Sequence, residues 1–295
     1  MHSTSDKNSP EFLMAEIAKT ATQSLLDEVN TTPKPGLVDL ANNGSHRDMT
    51  PETFYLSAKA LRDFWGKCFL IGTETGDQPP EICFSRLRTE GICAETKMLE
   101  ATEGINTHKG AIFTLGTVCG ATGRLWKTNG LYRDPSAIAA ECARLCAVAV
   151  KEDFLTMEAR KTARTTGERL YLKYGLRGIR GELADGLPGV LDISLPCFEE
   201  ALKTGRSRND AGVLALMHLI ARGTDTNVIS RGGLETAKKA AEEARKLCAD
   251  AELSLSKVGE LDQSFIRKNL SPGGCADLLA VTYFLYDWKE AEGAL

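Results

Sequence analysis

A few short polar stretches between apolar segments gather side chains able to move a proton, pair with phosphate or hold a cation. The first runs from Asn30 to Met49, NTTPKPGLVDLANNGSHRDM. Pro33 and Pro35 fix φ on both sides of Lys34, and the Pro-Gly step that follows favours a tight turn aiming Lys34 and Asp39 in set directions. His46, Arg47 and Asp48 then bring imidazole, guanidinium and carboxylate into one loop: proton transfer, phosphate pairing and metal ligation. Taken alone, the stretch reads as well as a rigid connector with a solvated lysine.

GINTHKGAIF places Asn106, Thr107, His108, Lys109 and Gly110 at the start of an apolar helix, where free N–H groups suit an anion. An ordinary helix cap is the competing reading, and the spacing is not that of a Walker A loop. TTGERLYLKYGLRGIRGE, Thr165 to Glu182, carries Arg169, Lys173, Arg177 and Arg180 with Glu168 and Glu182 around Gly175, Gly178 and Gly181, either a loop wrapping a polyphosphate or a solvated charged face. SRNDAG at 207–212, DTNVISRGG at 225–233 and SPGGCADLLA at 271–280 repeat the theme. Together the stretches point to a nucleotide polyphosphate with an oxygen-ligated cation. Mg²⁺ favours carboxylates over imidazole, so aspartates are better ligands than His46 or His108.

These turns need rigid elements to bring them together. Apolar residues recur at three- to four-residue steps, and strand-like alternation is nearly absent. The pattern predicts helices near 11–30, 51–72, 80–103, 108–127, 135–163, 165–175, 198–204, 208–222, 233–251, 254–269 and 272–291. Thr50-Pro51, Asp134-Pro135 and Ser271-Pro272 read as capped starts. The expected fold is all-α, a single-domain multi-helix bundle over residues 14–295 whose active site is formed by turns and helix N-termini. Residues 1–13 read as a disordered leader or an appended tail. Gly116, Gly120 and Gly123 share a helix face and read first as a close helix contact.

With 36 basic and 40 acidic residues and a pI near 5.7, the chain has no global positive field for nucleic acid or an anionic membrane. No apolar run nears the ~18 residues that span a bilayer, so the expectation is a cytoplasmic protein. Nine scattered cysteines without C-x-x-C or zinc-finger spacing read as reduced thiols. Nothing in the pattern sets an oligomeric state.

EVNTTPKPGLVDLANNGSHRDM, GINTHKGAIFTLG, TGERLYLKYGLRGIRGE, RGTDTNVISRGG and SPGGCADLLAVTYFL, in this order, resemble the triphosphoribosyl-dephospho-coenzyme A synthases, from about residue 14 to 288. The resemblance implies an all-helical enzyme. It would move the triphosphoribosyl group of ATP to the 2'-hydroxyl of 3'-dephospho-coenzyme A, release adenine and yield a prosthetic-group precursor for an acyl carrier protein. A downstream contact with a carrier-protein transferase would follow. Cys275 stands where the family usually has serine, which puts in doubt any role for a hydroxyl there.

That chemistry assigns expectations to residues. His46 and His108, with Glu28 and Glu182 behind them, are the proton-transfer candidates. Lys34, Arg47, Lys109, Arg169, Arg180, Arg231 and Asn106 are expected at substrate phosphates, with Gly273 and Gly274 allowing close approach. Asp39, Asp48 and Asp277 are expected at Mg²⁺ or ribose. The rival activity is a Mg²⁺-dependent hydrolase of a nucleotide or ADP-ribosyl bond.

Overall fold

A computed structural model describes residues 8–250 and 253–291, and among them every regular element is helical. The chain order is α1 Pro10–Asn30, α2 Pro51–Ala60, α3 Arg62–Glu74, α4 Pro80–Ala101, α5 Lys109–Asn129, α6 Pro135–Arg160 and α7 Thr166–Tyr174. It continues with α8 Gly178–Ala184, a π-helical turn Val190–Ser194 running into α9 Leu195–Lys203, α10 Arg208–Ala221, α11 Thr226–Cys248, α12 Leu255–Arg267 and α13 Gly273–Glu290.

Local chemistry starts many of these helices. Ser9 accepts from the N–H of Phe12, Thr50 from Thr53, Asp134 from Ser136 and Ala137, Thr165 from Glu168, and Ser207 from Asp210. The third expected cap behaves differently: Ser271 makes no cap bond, and its hydroxyl lies 2.9 Å from His46 Nε2. Residues 1–7 of the expected leader lie outside the described residues, whereas Pro10–Leu13 form the first turn of α1 and Leu13 is fully buried.

Two helices are apolar around most of their circumference and occupy the centre, α5 from Ala111 to Arg124 and α13 from Leu278 to Leu285. They touch each other, with α1 and α3 packed around them. The glycine face on α5 is a helix contact. A Cβ at Gly123 would overlap the Phe69 carbonyl of α3, and one at Gly72 of α3 would overlap the Gly120 carbonyl. The two backbones meet directly, which no larger residue permits.

Three boundaries differ from the sequence pattern. The segment expected as one helix over 51–72 bends at Leu61 (φ −87°, ψ −7°), whose side chain is fully buried. Helix α8 was hidden by its glycines. Helix α11 begins at Thr226 under an Asp225 cap, but Gly233 (φ 78°, ψ 170°) interrupts it, so its long arm starts where the glycine pair suggested.

Candidate active site

The N-termini of α5 and α13 open on one cleft of about 790 Å³, and the polar turns converge there. Its walls come from the 34–49 loop, residues 106–111, the α7–α8 region, the α10–α11 connection with Arg231, and residues 271–280. The first loop is fixed by docking rather than by its prolines alone. Asp262 of α12 accepts from the N–H of Gly36 (2.9 Å) and from Asn42 Nδ2 (2.9 Å), and Ser45 Oγ donates to the Leu270 carbonyl (2.6 Å). Gly36 (φ 70°) is required because a Cβ would overlap that carbonyl.

The inner floor holds buried charge. Lys34, 1% exposed, donates through Nζ to Glu28 Oε1 (2.5 Å) and to the Glu28 carbonyl (2.6 Å). Two residues expected in separate roles, phosphate contact and proton transfer, are therefore partners. Burial pushes the Glu28 carboxyl up against the opposing pull of Lys34. Asp277 accepts from the Ala111 N–H at the start of α5, and a Cβ at Gly110 would overlap its carboxylate. Burial raises the Asp277 carboxyl well above its usual range, and the charges of Glu28 and Asp225 add to the effect. Asp225 caps α11 through Asn227 and Val228 and reaches across to the Cys275 N–H of α13 (2.9 Å). Its carboxyl is also raised by burial.

Both helix N-termini expected to receive phosphate are thus engaged by carboxylates, Asp277 at α5 and Asp225 at α13. Gly273 and Gly274 do permit a close approach, but to protein. Added Cβ atoms would lie 2.7 Å from Asn227 Nδ2 and 2.9 Å from Asp225 Oδ2. Asn106 lines the cleft, with Oδ1 accepting from the Lys109 N–H (3.3 Å).

The two histidines differ. His108 is buried, lies edge-on to Phe54 (5.1 Å between centroids), and has its pKa lowered to about 3 by burial and by the charge of Lys34. It is neutral at physiological pH and is no imidazolium acid. His46 is half-buried near the rim. Burial and Arg231 lower its pKa, with Asp48 opposing.

The rim carries paired cations. Arg222 binds Glu182 at 3.1 Å, Arg177 binds Asp185 at 2.8 Å, and Lys109 binds Glu95 at 2.5 Å. Glu182 also accepts from the Gly189 N–H, so this expected proton-transfer group fixes the α8 connection. Arg231 donates to the Ser45 carbonyl (3.0 Å) and to Asn269 Oδ1 (3.3 Å).

Five expected site residues do not line the cleft. The Asp39 carboxylate accepts from the N–H groups of Lys34, Ala41 and Asn42, which closes the first loop. Arg47 and Asp48 are exposed. Arg169 is exposed and bonds Thr166, and Arg180 faces Asp153 of α6 at 3.8 Å. Arg222 and Asp225 line the cleft without having been singled out, as does Arg177, which carried no assigned role. The Asp-Thr-Asn step after a helix end is a capping signal that could have marked Asp225. The two arginines resemble solvated ones until α8 and α10 pack. Among the described residues no three His, Cys, Asp or Glu side chains converge to chelate a metal ion.

The site is thus one cleft in an all-helical fold, with carboxylates and a neutral imidazole in its floor and arginines at its rim. The chain belongs to the CitG family, described as ATP:dephospho-CoA triphosphoribosyl transferase, whose model matches residues 14–294. It is 41% identical over 276 residues to a Vibrio cholerae protein, covering 90% of this chain and 86% of the relative, and 42% identical over 275 residues to one from Photobacterium profundum, covering 90% and 85%. Both are named probable 2-(5''-triphosphoribosyl)-3'-dephosphocoenzyme-A synthase. A Klebsiella pneumoniae relative, 37% identical over 274 residues and covering 92% and 90%, bears that name without the qualifier. No solved structure matches the chain.

Proposed function

We propose that this protein transfers the triphosphoribosyl group of ATP to the 2'-hydroxyl of 3'-dephospho-coenzyme A and releases adenine. The observation that carries this reading is the convergence of the family-like turns on one cleft, in a chain that belongs to the family. In the reaction, the bond from C1'' to the purine nitrogen breaks with its electron pair going to the purine, and the 2'-oxygen forms the new bond to C1''. The hydroxyl gives up one proton and the purine takes up one, so the triphosphate is carried over intact.

Arg177, Arg222, Arg231 and Lys109 supply the phosphate contacts, and a polyphosphate of about four charges competes with Glu182, Asp185 and Glu95 for three of them. The charges of Glu28 and Asp225 raise the cost of charge on Asp277, which a positive group bound nearby would relieve. A ribosyl group with oxocarbenium character meets that need. Asp277 and Asp225 are the carboxylates that would hold a Mg²⁺ ion, which when bound would offset two of the phosphate charges. His46, whose pKa is lowered by burial and by Arg231, would receive the hydroxyl proton at the rim. The product would pass, in the cytoplasm, to a carrier-protein transferase.

The hydrolase alternative has no support, since the family and the relatives above are named for transfer or synthesis. Mass spectrometry of the protein incubated with ATP, Mg²⁺ and 3'-dephospho-coenzyme A tests the reading. The adduct and free adenine are expected in equal amounts. Adenine released without the adduct sinks it.

A further inference from the structure

Ser57, Thr107 and His108 form a small relay behind the cleft wall. Thr107 Oγ1 donates to Ser57 Oγ (2.8 Å), and Ser57 Oγ lies 2.7 Å from His108 Nδ1. Ser57 has one proton, and no other acceptor takes it among the described residues. A hydroxyl that already accepts from Thr107 spends its own proton on Nδ1, so the ring proton of His108 sits on Nε2. That Nε2 is buried without a hydrogen-bond partner in the protein, on a residue that lines the cleft. An unpaired buried donor costs about 1–3 kcal/mol, which a bound ligand with an acceptor atom recovers.

The surroundings indicate which acceptor. Phe54 lines the cleft and lies edge-on to the His108 ring at 5.1 Å between centroids, whereas Arg177 and Arg222 are paired with Asp185 and Glu182 at the rim. An aromatic edge beside an uncharged donor suits a planar heteroaromatic ring better than a phosphate. Burial and the nearby Lys34 charge keep the imidazole neutral, so the ring donates a hydrogen bond and keeps its proton.

We propose that Ser57 is a positioning residue that fixes His108 as a neutral Nε2–H donor to a ring nitrogen of the departing purine. This deepens the transfer reading and rests on it. The hydrogen bond strengthens as electrons from the C1'' bond accumulate on the purine. The purine's proton then comes from solvent in exchange for the one the 2'-hydroxyl gives up.

The relay is tested without any substrate by ¹⁵N NMR of the histidine rings in the intact protein at pH 7. The expected result is a protonated Nε2 and an unprotonated Nδ1 for His108. The reverse assignment overturns the proposal, whatever the protein catalyses. In turnover, Ser57→Ala should lower kcat by about 10-fold, in the range for a group that orients a histidine, with KM for dephospho-coenzyme A unchanged and Ser57→Thr restoring the rate. With 7-deaza-ATP or 3-deaza-ATP, whichever lacks the bonded nitrogen, the Ser57→Ala penalty should vanish. Equal penalties on ATP and both analogues overturn the purine assignment. A wild-type protein that makes no adduct removes the transfer reading instead and leaves the NMR result standing.

Discussion

The floor and the rim of the cleft carry similar residue types under opposite physical regimes. On the floor, Lys34 and Glu28 are desolvated and locked to each other, and Asp277 and Asp225 are tied to helix N-termini. On the rim, Lys109 and Glu95 make an equally short pair, yet the lysine side chain is 58% exposed. Removing one member of a buried pair strands a charge at a cost of about 3–5 kcal/mol, whereas exposed pairs contribute about 0–1 kcal/mol. The difference teaches that floor charges are part of the fold, while rim charges can change partner at little cost to it.

The largest expected effect is on the floor. Lys34→Met should lower stability in urea unfolding by about 3–5 kcal/mol, and adding Glu28→Gln should recover more than half of it. A loss below about 1 kcal/mol in the single variant would make Lys34 a rim-like residue and break the contrast.

Asp277→Asn comes next. The amide keeps the volume and can still accept from the Ala111 N–H, so the melting temperature should change little. Turnover should fall by about 100-fold or more if the lost charge faces the transition state. An unfolded variant, or one with normal turnover, removes Asp277 from the proposed chemistry.

A pH titration sharpens the same contrast through His108. Its folded pKa of about 3 lies below the usual value of 6.5, so the unfolded chain binds the extra proton first as pH falls. The stability tied to neutral His108 is complete above pH ~6.5 and is lost as pH drops toward 3, with a slope approaching 1.4 kcal/mol per pH unit. The raised carboxyls of Glu28, Asp225 and Asp277 act with the opposite sign, since their folded forms hold protons longer than the unfolded chain does. His108→Gln should therefore flatten the acid side of the stability profile, measured by urea unfolding between pH 4 and 7. An unchanged slope would mean that His108 is not held neutral.

The smallest effect belongs to the rim. Lys109→Ala should change stability by less than about 0.5 kcal/mol while raising KM for ATP several-fold at low salt, and the KM difference should shrink toward 0.5 M salt. A salt-independent KM would place Lys109 away from the phosphates.

Much of this molecule was legible in the chain because helices obey local rules. A repeat of 3.6 residues, Thr50-Pro51 and Asp134-Pro135 gave starts and faces that the structure keeps. Errors came where glycine mimicked a break, as in α8, or where a single buried side chain decided a bend, as at Leu61. Within the site, the polar turns were recognisable as chemistry-bearing, but the partners of their side chains were not. Lys34 looked free for phosphate and is spent on Glu28. Asp39 looked like a metal ligand and closes its own loop. Arg222 looked like any solvated arginine and faces the cleft from the end of α10.

By itself the sequence determined the all-α architecture, the polar turns that meet at one cleft and the family, because periodicity, caps and motif order are properties of neighbouring residues. Only the tertiary structure decided which charges are desolvated, and with that which carboxylates have raised pKa values, which histidine is held neutral and which cations stay exchangeable. The physical reason is that burial is set by segments distant in the chain. Asp225 reaches the Cys275 N–H 50 residues away, and Ser57 meets His108 51 residues away.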